Sequence, residues 1–183
     1  MNILFKLTDK DIGMLEKENK EYKTRIAARG IILNADGKIA VQFKKNTKEY
    51  KLIGGGLENG EQPNEGFKRE VLEETGCKID IIKQLGVTEE YISMRGAKQI
   101  SHIFVAKALD DTNVLYLTEK EKSEGAELIW VTPLEALKLM ENSYNELISS
   151  TYAEDYDVYR MKFISLRDRK ILEYYITNYK QEV

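Results

Sequence analysis

Hydrophobic and polar residues alternate in the first part of the chain, which predicts β-strands. Residues 23 to 34 are rich in Ile and Ala, and residues 38 to 43 alternate regularly. The turn-forming segment Ala35-Asp36-Gly37 lies between them, so the two stretches predict a hairpin. Residues 49 to 53 predict another strand, and at Gly54-Gly55-Gly56 we expect the chain to bend into a flexible turn.

A helix and further strands follow. Residues 63 to 76 begin with Pro and end with Gly, the residues that favour the first turn of a helix and the position just past its end. Two long stretches, residues 77 to 92 and 98 to 109, are rich in Ile, Val, Tyr and Phe and predict strands on either side of a turn at Arg95-Gly96. Residues 127 to 131 predict one more strand, so the pattern favours a mixed sheet.

The C-terminal part has helical periodicity. Thr132-Pro133-Leu134-Glu135 has the form of a capping box and predicts a helix to about Glu141. Apolar side chains recur at helical spacing before and after Ser165-x-x-Asp168, which predicts two amphipathic helices. The first group is Tyr152, Tyr156, Tyr159 and Phe163, and the second is Ile171, Leu172, Tyr175, Ile176 and Tyr179. We expect the first group to be packing surface and not a platform for nucleobases.

These elements suggest three regions. Residues 1–22 are an N-terminal extension in which Ile3-Leu4-Phe5 could add an edge strand, and residues 23–150 form the main domain. Residues 151–183 are a C-terminal helical extension, packed on the domain or on a dimer partner, so a homodimer is left open. A chain of 183 residues with 42% hydrophobic residues is sufficient for one core.

Charge and rare residues exclude several classes of function. The 28 Lys and Arg balance 31 Asp and Glu and are scattered, so a nucleic-acid partner is not expected. No apolar stretch approaches membrane-spanning length, and acidic residues near the N-terminus argue against a secretory leader. One cysteine, Cys77, and one histidine, His102, exclude Cys-based metal sites and His clusters. We therefore expect a cytoplasmic protein in which Cys77 is a buried packing residue.

Three glutamates share one side of the predicted helix. Glu73 and Glu74 follow Glu70 by three and four positions, so their carboxylates fall on one arc. Like charges at this spacing repel, and Glu74→Gln is therefore expected to leave the melting temperature unchanged or raised. A hard divalent cation would reverse the effect, because carboxylate oxygens are its preferred ligands. The alternative is a solvated acidic face on which Arg69 pairs with Glu73.

The spacing around these glutamates forms a longer motif. The pattern G-x5-E-x7-R-E-U-x-E-E-x-G-U, with U an aliphatic residue, is matched at Gly55, Glu61, Arg69, Glu70, Val71, Glu73, Glu74 and Gly76. This segment resembles the Nudix box, the signature of the Nudix hydrolase family. Cys77 replaces an aliphatic residue of the pattern, and Gly54 stands where many members have proline. The resemblance implies an α+β fold, a Nudix-like α/β/α sandwich with a mixed sheet, to which this chain adds C-terminal helices.

The resemblance also implies a reaction. Nudix hydrolases cleave a nucleoside diphosphate linked to another moiety, through attack of a metal-activated water on phosphorus. By position in the motif, Glu73 and Glu74 correspond to the principal ligands of Mg²⁺ or Mn²⁺. Glu70 corresponds to a further ligand or general base, and the Gly55 carbonyl to a backbone ligand. All acidic positions of the motif are present, which favours an enzyme over a non-catalytic nucleotide-sensing module.

Other residues have supporting roles by the same resemblance. Arg69 orients a glutamate of the helix, and Glu61 braces the preceding loop. Many family members add a carboxylate from a later loop, for which this sequence has four candidates: Glu119, Glu121, Glu124 and Glu127. We favour Glu124 as a metal ligand, because Glu124-Gly125 precedes Trp130 as in oxidised-nucleotide hydrolases. The alternative is a solvated acidic loop.

The predicted substrate is a small nucleotide, such as a nucleoside triphosphate, oxidised or not. Positions 92 to 95 lack the proline that is typical of ADP-ribose hydrolases. Tyr91 lies slightly before the position at which dinucleoside-polyphosphate hydrolases typically have a tyrosine. The alternatives are a dinucleoside polyphosphate, a nucleotide sugar and an RNA 5'-end, and the last is disfavoured because the sequence has no clear basic patch.

Overall fold

A mixed β-sheet lies between helices on its two faces. The computed structural model describes residues 2–16, 21–111, 115–149 and 156–179. The strands are β1 (Ile3–Leu7), β2 (Lys23–Leu33), β3 (Ile39–Lys44), β4 (Glu49–Gly56), β5 (Cys77–Ile92), β6 (Ala97–Asp111) and β7 (Ala126–Val131). The helices are α1 (Pro63–Thr75), α2 (Glu119–Ser123), α3 (Pro133–Ser149) and α4 (Tyr156–Tyr179). The predicted α+β class and mixed sheet are confirmed.

Within the described residues, the strands form a sheet in the order β1-β5-β6-β2-β4-β3-β7. The pairs β1–β5 and β2–β6 are parallel, and the other neighbours are antiparallel. The predicted hairpin of β2 and β3 is reduced to one pair, Leu33 opposite Ile39. Strand β2 instead pairs with β6 and β4, because its long run of buried residues suits the centre of the sheet.

Helix α1 covers one face of the sheet with its apolar side. Phe67 and Val71 are fully buried and pack with Ile53 and Phe104. The rings of Phe67 and Phe104 are stacked with their centroids 5.1 Å apart. This packing fixes the rotation of α1, so its glutamate-bearing side is held at the edge of this interface.

Helices α3 and α4 cover the opposite face. Met140 of α3 and Leu172 of α4 are fully buried in one apolar cluster with strands β2, β3 and β4. The predicted capping box is confirmed, since the Thr132 N–H donates to Glu135 Oε2 at 2.9 Å and the Glu135 N–H donates to Thr132 Oγ1 at 3.3 Å. Helix α3 continues past the predicted end at Glu141 to Ser149.

The prediction of two C-terminal helices is wrong in one respect, because α4 is continuous through Ser165 and Asp168. Neither residue caps a helix, and both are fully buried. Asp168 Oδ2 accepts the Leu52 N–H at 2.9 Å, just beyond the pairing of β2 with β4, which ends at Ile53. The Asp168 carboxylate thus binds a backbone N–H of the sheet and holds α4 against it. Because of this long-range contact, Asp168 does not act in a helix cap as the local sequence pattern predicted.

The aromatic stripe is packing surface where the structure describes it. Tyr159 and Phe163 are buried in a cluster with Leu7, and the Tyr159 hydroxyl donates to Asp9 Oδ1 at 2.5 Å. Tyr152 and the side chain of Tyr156 lie outside the described residues.

The N-terminal segment is tied to the sheet. The suggested edge strand is present, since β1 lies at one edge and runs parallel to β5. Residues 17–20 of the charged run lie outside the described part of the chain. Among the described helices, none has the length and apolar character that crossing a membrane requires.

Candidate active site at the glycine strand and helix α1

The three glycines that precede α1 belong to a strand and not to a flexible turn. Gly54, Gly55 and Gly56 pair with β2 in regular antiparallel register. Gly54 has a φ of 134°, and a Cβ atom there would lie 2.3 Å from the Ala28 carbonyl oxygen. A Cβ atom on Gly55 would lie 2.4 Å from Glu70 Oε2. The glycines therefore allow the backbone to approach β2 and a carboxylate of α1 closely, which corrects the expected bend.

Glu74 is the most enclosed of the three glutamates. Glu74 is 4% exposed. Its carboxylate accepts hydrogen bonds from the Gly54 N–H at 2.8 Å and from Gln42 Nε2 at 3.1 Å. Lys51 Nζ lies 3.0 Å from Glu74 Oε1. These donors hold one carboxylate in a fixed position between α1 and strands β3 and β4.

Glu70 and Glu73 lie on the more open side of the arc. Burial raises the pKa of the Glu70 carboxyl, and the nearby Glu74 charge adds to the rise. The Glu73 side chain is 39% exposed. The predicted arc therefore places Glu70 and Glu74 close enough to repel each other, with Glu73 at the solvent side.

Arg69 joins the helix to the preceding loop and strand. Its guanidinium donates to both carboxylate oxygens of Glu61, at 2.9 and 3.0 Å, and to the Gly56 carbonyl at 3.0 Å. It also donates to Glu70 at 3.0 Å and Glu73 at 3.2 Å. The hydrogen bond from Arg69 lowers the pKa of Glu61. The planar guanidinium thus contacts carboxylates on two segments at once.

The oxygen atoms around α1 suit a hard divalent cation. No group of three or more His, Cys, Asp or Glu side chains forms a ready metal cage among the described residues. Burial and the Glu74 charge nevertheless raise the pKa of Glu70 although Arg69 pairs with it at 3.0 Å, so a further positive charge here would stabilise the ionised carboxylate. Carboxylates are the donors that Mg²⁺ and Mn²⁺ prefer, and those of Glu70 and Glu74 both lie against the glycine strand, so the residues fit such an ion.

The later acidic residues are paired with lysines. Glu124 Oε2 lies 2.6 Å from Lys44 Nζ, and Glu127 Oε1 lies 2.5 Å from Lys45 Nζ. Glu119 pairs with Lys122 on α2, at 2.8 Å, and the side chain of Glu121 lies outside the described residues. The place of Glu124 among metal ligands stays a prediction.

A cationic cavity of about 190 Å³ adjoins Gly54 and Gly55. It lies between the sheet and α4, and its basic lining residues are Arg25, Arg29, Lys51, Arg95, Arg160 and Arg167. Glu90 is the acidic residue in this lining. Arg167 is fixed beneath the cavity, with Nη1 at 3.3 Å from Glu90 Oε2 and Nε at 2.7 Å from Asp168 Oδ1. Such a cavity suits a multiply charged anion.

The family model described as the NUDIX domain matches residues 23–150, more than half of the chain. The chain belongs to the Nudix family. As an enzyme it is a Nudix-type pyrophosphohydrolase. The matched range contains α1 and the glycine strand, and α4 lies outside it.

Several Nudix relatives are similar to most of this chain. A MutT-like protein of Streptomyces ambofaciens is 28% identical over 119 residues, which cover 65% of this chain and 71% of the relative. A GDP-mannose pyrophosphatase of Escherichia coli is 29% identical over 149 residues, which cover 75% and 77% of the two chains.

Two solved structures share the Nudix fold. A NUDIX hydrolase from Nitrosomonas europaea is similar with a TM-score of 0.52 and 19% identity, over 68% of this chain and 90% of that one. The MutT protein from Methanosarcina mazei Go1 is similar with a TM-score of 0.50 and 20% identity, over 70% and 98% of the two chains.

The sequence prediction missed the cationic cavity of this Nudix protein. Its residues come from separate segments, and the overall charge gave no indication of a basic site. One local signal was available: Arg25 and Arg29 are four apart in a strand and so share a face, while Arg160 and Arg167 are seven apart in a helix. Which of these faces meet depends on how α4 packs on the sheet.

Proposed function

We propose that this Nudix enzyme hydrolyses a pyrophosphate bond in a small nucleotide, such as a nucleoside triphosphate, oxidised or not, with Mg²⁺ or Mn²⁺. The observation that supports this function is the juxtaposition at Gly54 and Gly55. The α1 carboxylates lie on one side of these glycines, and the cationic cavity adjoins them. Lys51 lines this cavity and lies 3.0 Å from Glu74 Oε1, so a phosphate chain bound in the cavity would lie near a carboxylate of α1.

In this proposal Glu70, Glu73, Glu74 and the Gly55 carbonyl hold the metal, and Glu124 is a further candidate. When bound, a divalent cation neutralises charge on phosphate oxygens and lowers the pKa of a coordinated water. The carboxylate of Glu70 is a candidate to accept the proton that water loses as its oxygen attacks phosphorus.

The remaining residues act through position and charge. Arg69 and Glu61 fix the loop before α1, and Lys51 and Gln42 hold Glu74 in place. Arginines of the cavity neutralise the phosphate oxygens. The bond between phosphorus and the bridging oxygen breaks, and the negative charge that develops on the leaving phosphate is stabilised by the same positive groups.

A nucleotide sugar is the second candidate substrate. The observation that favours it is the similarity to a GDP-mannose pyrophosphatase over 75% of this chain. Both substrates contain a nucleoside diphosphate, so the reaction at phosphorus is the same, and the group beyond the second phosphate differs.

The test is a hydrolysis screen with purified protein and Mg²⁺ or Mn²⁺. The substrates are nucleoside triphosphates, oxidised nucleoside triphosphates, nucleotide sugars, dinucleoside polyphosphates and RNA 5'-ends, and products are identified by chromatography. We expect a nucleoside triphosphate to give a nucleoside monophosphate and pyrophosphate, with activity abolished by EDTA and by Glu73→Gln. Faster hydrolysis of GDP-mannose than of dGTP would support the second candidate, and activity unaffected by EDTA would contradict the metal assignment.

A further inference from the structure

We infer that Arg29 binds the terminal phosphate of the substrate, and that α4 completes this subsite with Arg160 and Arg167. The inference rests on the proposed function and adds the residues that select the substrate. Two of these residues lie in α4, outside the range that matches the NUDIX domain.

Arg29 is a buried cation with few internal partners. It is 5% exposed and lines the cavity. Its described hydrogen bond runs from Nε to Ser101 Oγ at 3.3 Å, and none of the ion pairs within the described residues includes Arg29. Burial lowers the pKa of Arg29 to about 10 and the Arg167 charge adds to this, while the charges of Asp168, Glu90 and Glu74 partly offset both, so the guanidinium is still charged at neutral pH. A buried charge without a close counter-ion is costly, and an anionic ligand would compensate it.

Arg160, on the α4 side of the cavity, also has few hydrogen-bond and ion-pair partners among the described residues. Its Nε atom is buried without a hydrogen-bond partner among the described residues, and the nearest ion-pair partner there, Asp157, is 3.8 Å away. Arg167 differs because Glu90 and Asp168 already neutralise it. Arg29 and Arg160 therefore both have unused hydrogen-bonding capacity at the cavity, and Arg167 is a positive charge there that is held by its own ion pairs.

Cavity size and charge together favour a terminal phosphate over a phosphate that is substituted on both sides. A volume of about 190 Å³ is below the several hundred Å³ typical of pockets for drug-sized ligands, so it suits phosphate groups better than a complete nucleotide. A terminal phosphate carries close to two negative charges at neutral pH, because its second pKa is near 6. The second phosphate of a nucleotide sugar is a diester with one charge, and it is followed by a bulky neutral ring. The subsite should therefore prefer nucleoside triphosphates.

The experiment measures binding without metal or turnover. Dissociation constants for α,β-methylene-dGTP and for GDP-mannose are determined by calorimetry in EDTA, for the wild type and Arg29→Met, Arg29→Lys and Arg160→Met. Arg169→Met is the matched control, since Arg169 also lies on α4 and its Nε also lacks a hydrogen-bond partner among the described residues, but it lies 3.3 Å from Glu173 and does not line the cavity. Melting temperatures of all variants are recorded.

We expect Arg29→Met to weaken binding of α,β-methylene-dGTP by about tenfold or more, the loss typical of a charge-assisted hydrogen bond, and of GDP-mannose by less than about threefold. Arg160→Met should show the same preference with a smaller loss, and Arg169→Met should bind both ligands like the wild type. Arg29→Lys keeps the charge but not the planar group, so an intermediate loss is expected. If Arg29→Met does not fold, Arg29→Lys and Arg160→Met decide the question by the same selective loss.

Equal weakening of both ligands, or no weakening, would overturn the subsite. The proposed function is tested independently of the subsite. If the wild type hydrolyses neither dGTP nor GDP-mannose with metal, the proposed reaction is wrong. The subsite would still be supported if Arg29→Met selectively weakened binding of α,β-methylene-dGTP in EDTA. If dGTP is hydrolysed and Arg29→Met has unchanged binding and KM, the reaction stands and the subsite is wrong.

Discussion

Glu74 has surroundings that the spacing of the three glutamates does not indicate. Considered as three like charges on a helix, the cluster predicts that loss of one charge is harmless or stabilising. The structure instead surrounds Glu74 with donors from Gly54, Gln42 and Lys51. At this residue favourable contacts outweigh repulsion along the helix, because they are short, buried and charge-assisted.

The two neighbouring glutamates should therefore respond differently to the same substitution. Glu74→Gln leaves Lys51 without its buried counter-ion and places an amide N–H₂ group among donors, so we expect the melting temperature to fall by about 3–8 °C. Glu73→Gln changes a half-exposed side chain that pairs with Arg69 at 3.2 Å, and because such partly solvated ion pairs contribute little we expect a shift within about 1 °C. Both should lower kcat by orders of magnitude.

Thermal unfolding in EDTA and steady-state kinetics with Mg²⁺ check this pair. Near wild-type turnover in both variants would contradict their assignment as metal ligands. A melting temperature of Glu74→Gln at or above the wild-type value would show that repulsion dominates.

At the scale of elements, one side chain of α1 contacts both the loop before the helix and strand β4. Arg69 contacts Glu61 in the loop, the Gly56 carbonyl in β4, and two glutamates of its own helix. These contacts need several donors in one plane, which lysine cannot supply.

Arg69→Lys should consequently lower kcat by about tenfold or more while net charge is unchanged. The physical reason is misplacement of the loop and the α1 carboxylates, since a change of about 1 Å at a reacting centre can cost a hundredfold in rate. Lys68→Arg, at an exposed position of the same helix, is the control and should behave as the wild type. A wild-type kcat in Arg69→Lys would contradict the role of Arg69 in positioning the loop and the α1 carboxylates.

Helix α4 depends on Asp168 for its attachment to the sheet. Asp168→Ala removes the acceptor for the Leu52 N–H and the partner of Arg167, both buried. We expect the free energy of unfolding to fall by about 3 kcal/mol, as for other buried ion pairs that lose one member. Urea denaturation measures it, with the exposed Asp110→Ala as the control. A loss below about 1 kcal/mol would mean that α4 is held by apolar packing alone.

The sequence predicted the individual strands and helices better than the contacts between them. The bounds of β5 and the start and end of α1 agree with the structure, because alternation, Pro63 and Gly76 are local signals. Ser165-x-x-Asp168 was misinterpreted because its partner, Leu52, is distant in sequence. The motif located Glu70, Glu73 and Glu74 on one arc. The cavity could not be predicted, because it forms only when α4 packs over the sheet.

At the scale of the whole molecule, α4 serves two purposes. Its apolar side completes the core on the face that α3 shares, and its basic side lines the cavity. A chain without α4 would therefore expose buried side chains and lose Arg160 and Arg167 together.

Removal of residues after Thr151 should cause aggregation or a large fall in melting temperature, because Tyr159, Phe163 and Leu172 would be lost and the apolar residues that they cover, such as Leu7 and Leu52, would be exposed. Light scattering and thermal unfolding measure both effects, and catalysis is expected to be lost as a consequence. A truncated protein of wild-type stability whose KM alone rises would show instead that α4 serves the substrate and not the core.

Cys77 gives this protein a built-in chemical probe. It is the chain's single thiol, it is 1% exposed, and it is the first residue of β5, separated from the end of α1 by one residue. A thiol reagent can react with it only when the structure around it opens, so the labelling rate measures local opening at this end of α1 in the intact enzyme without an introduced label. Because a cation held by the α1 glutamates would favour the closed state, Mg²⁺ should slow labelling of the wild type. The same addition should leave the rate unchanged in Glu73→Gln if that carboxylate is needed to hold the ion.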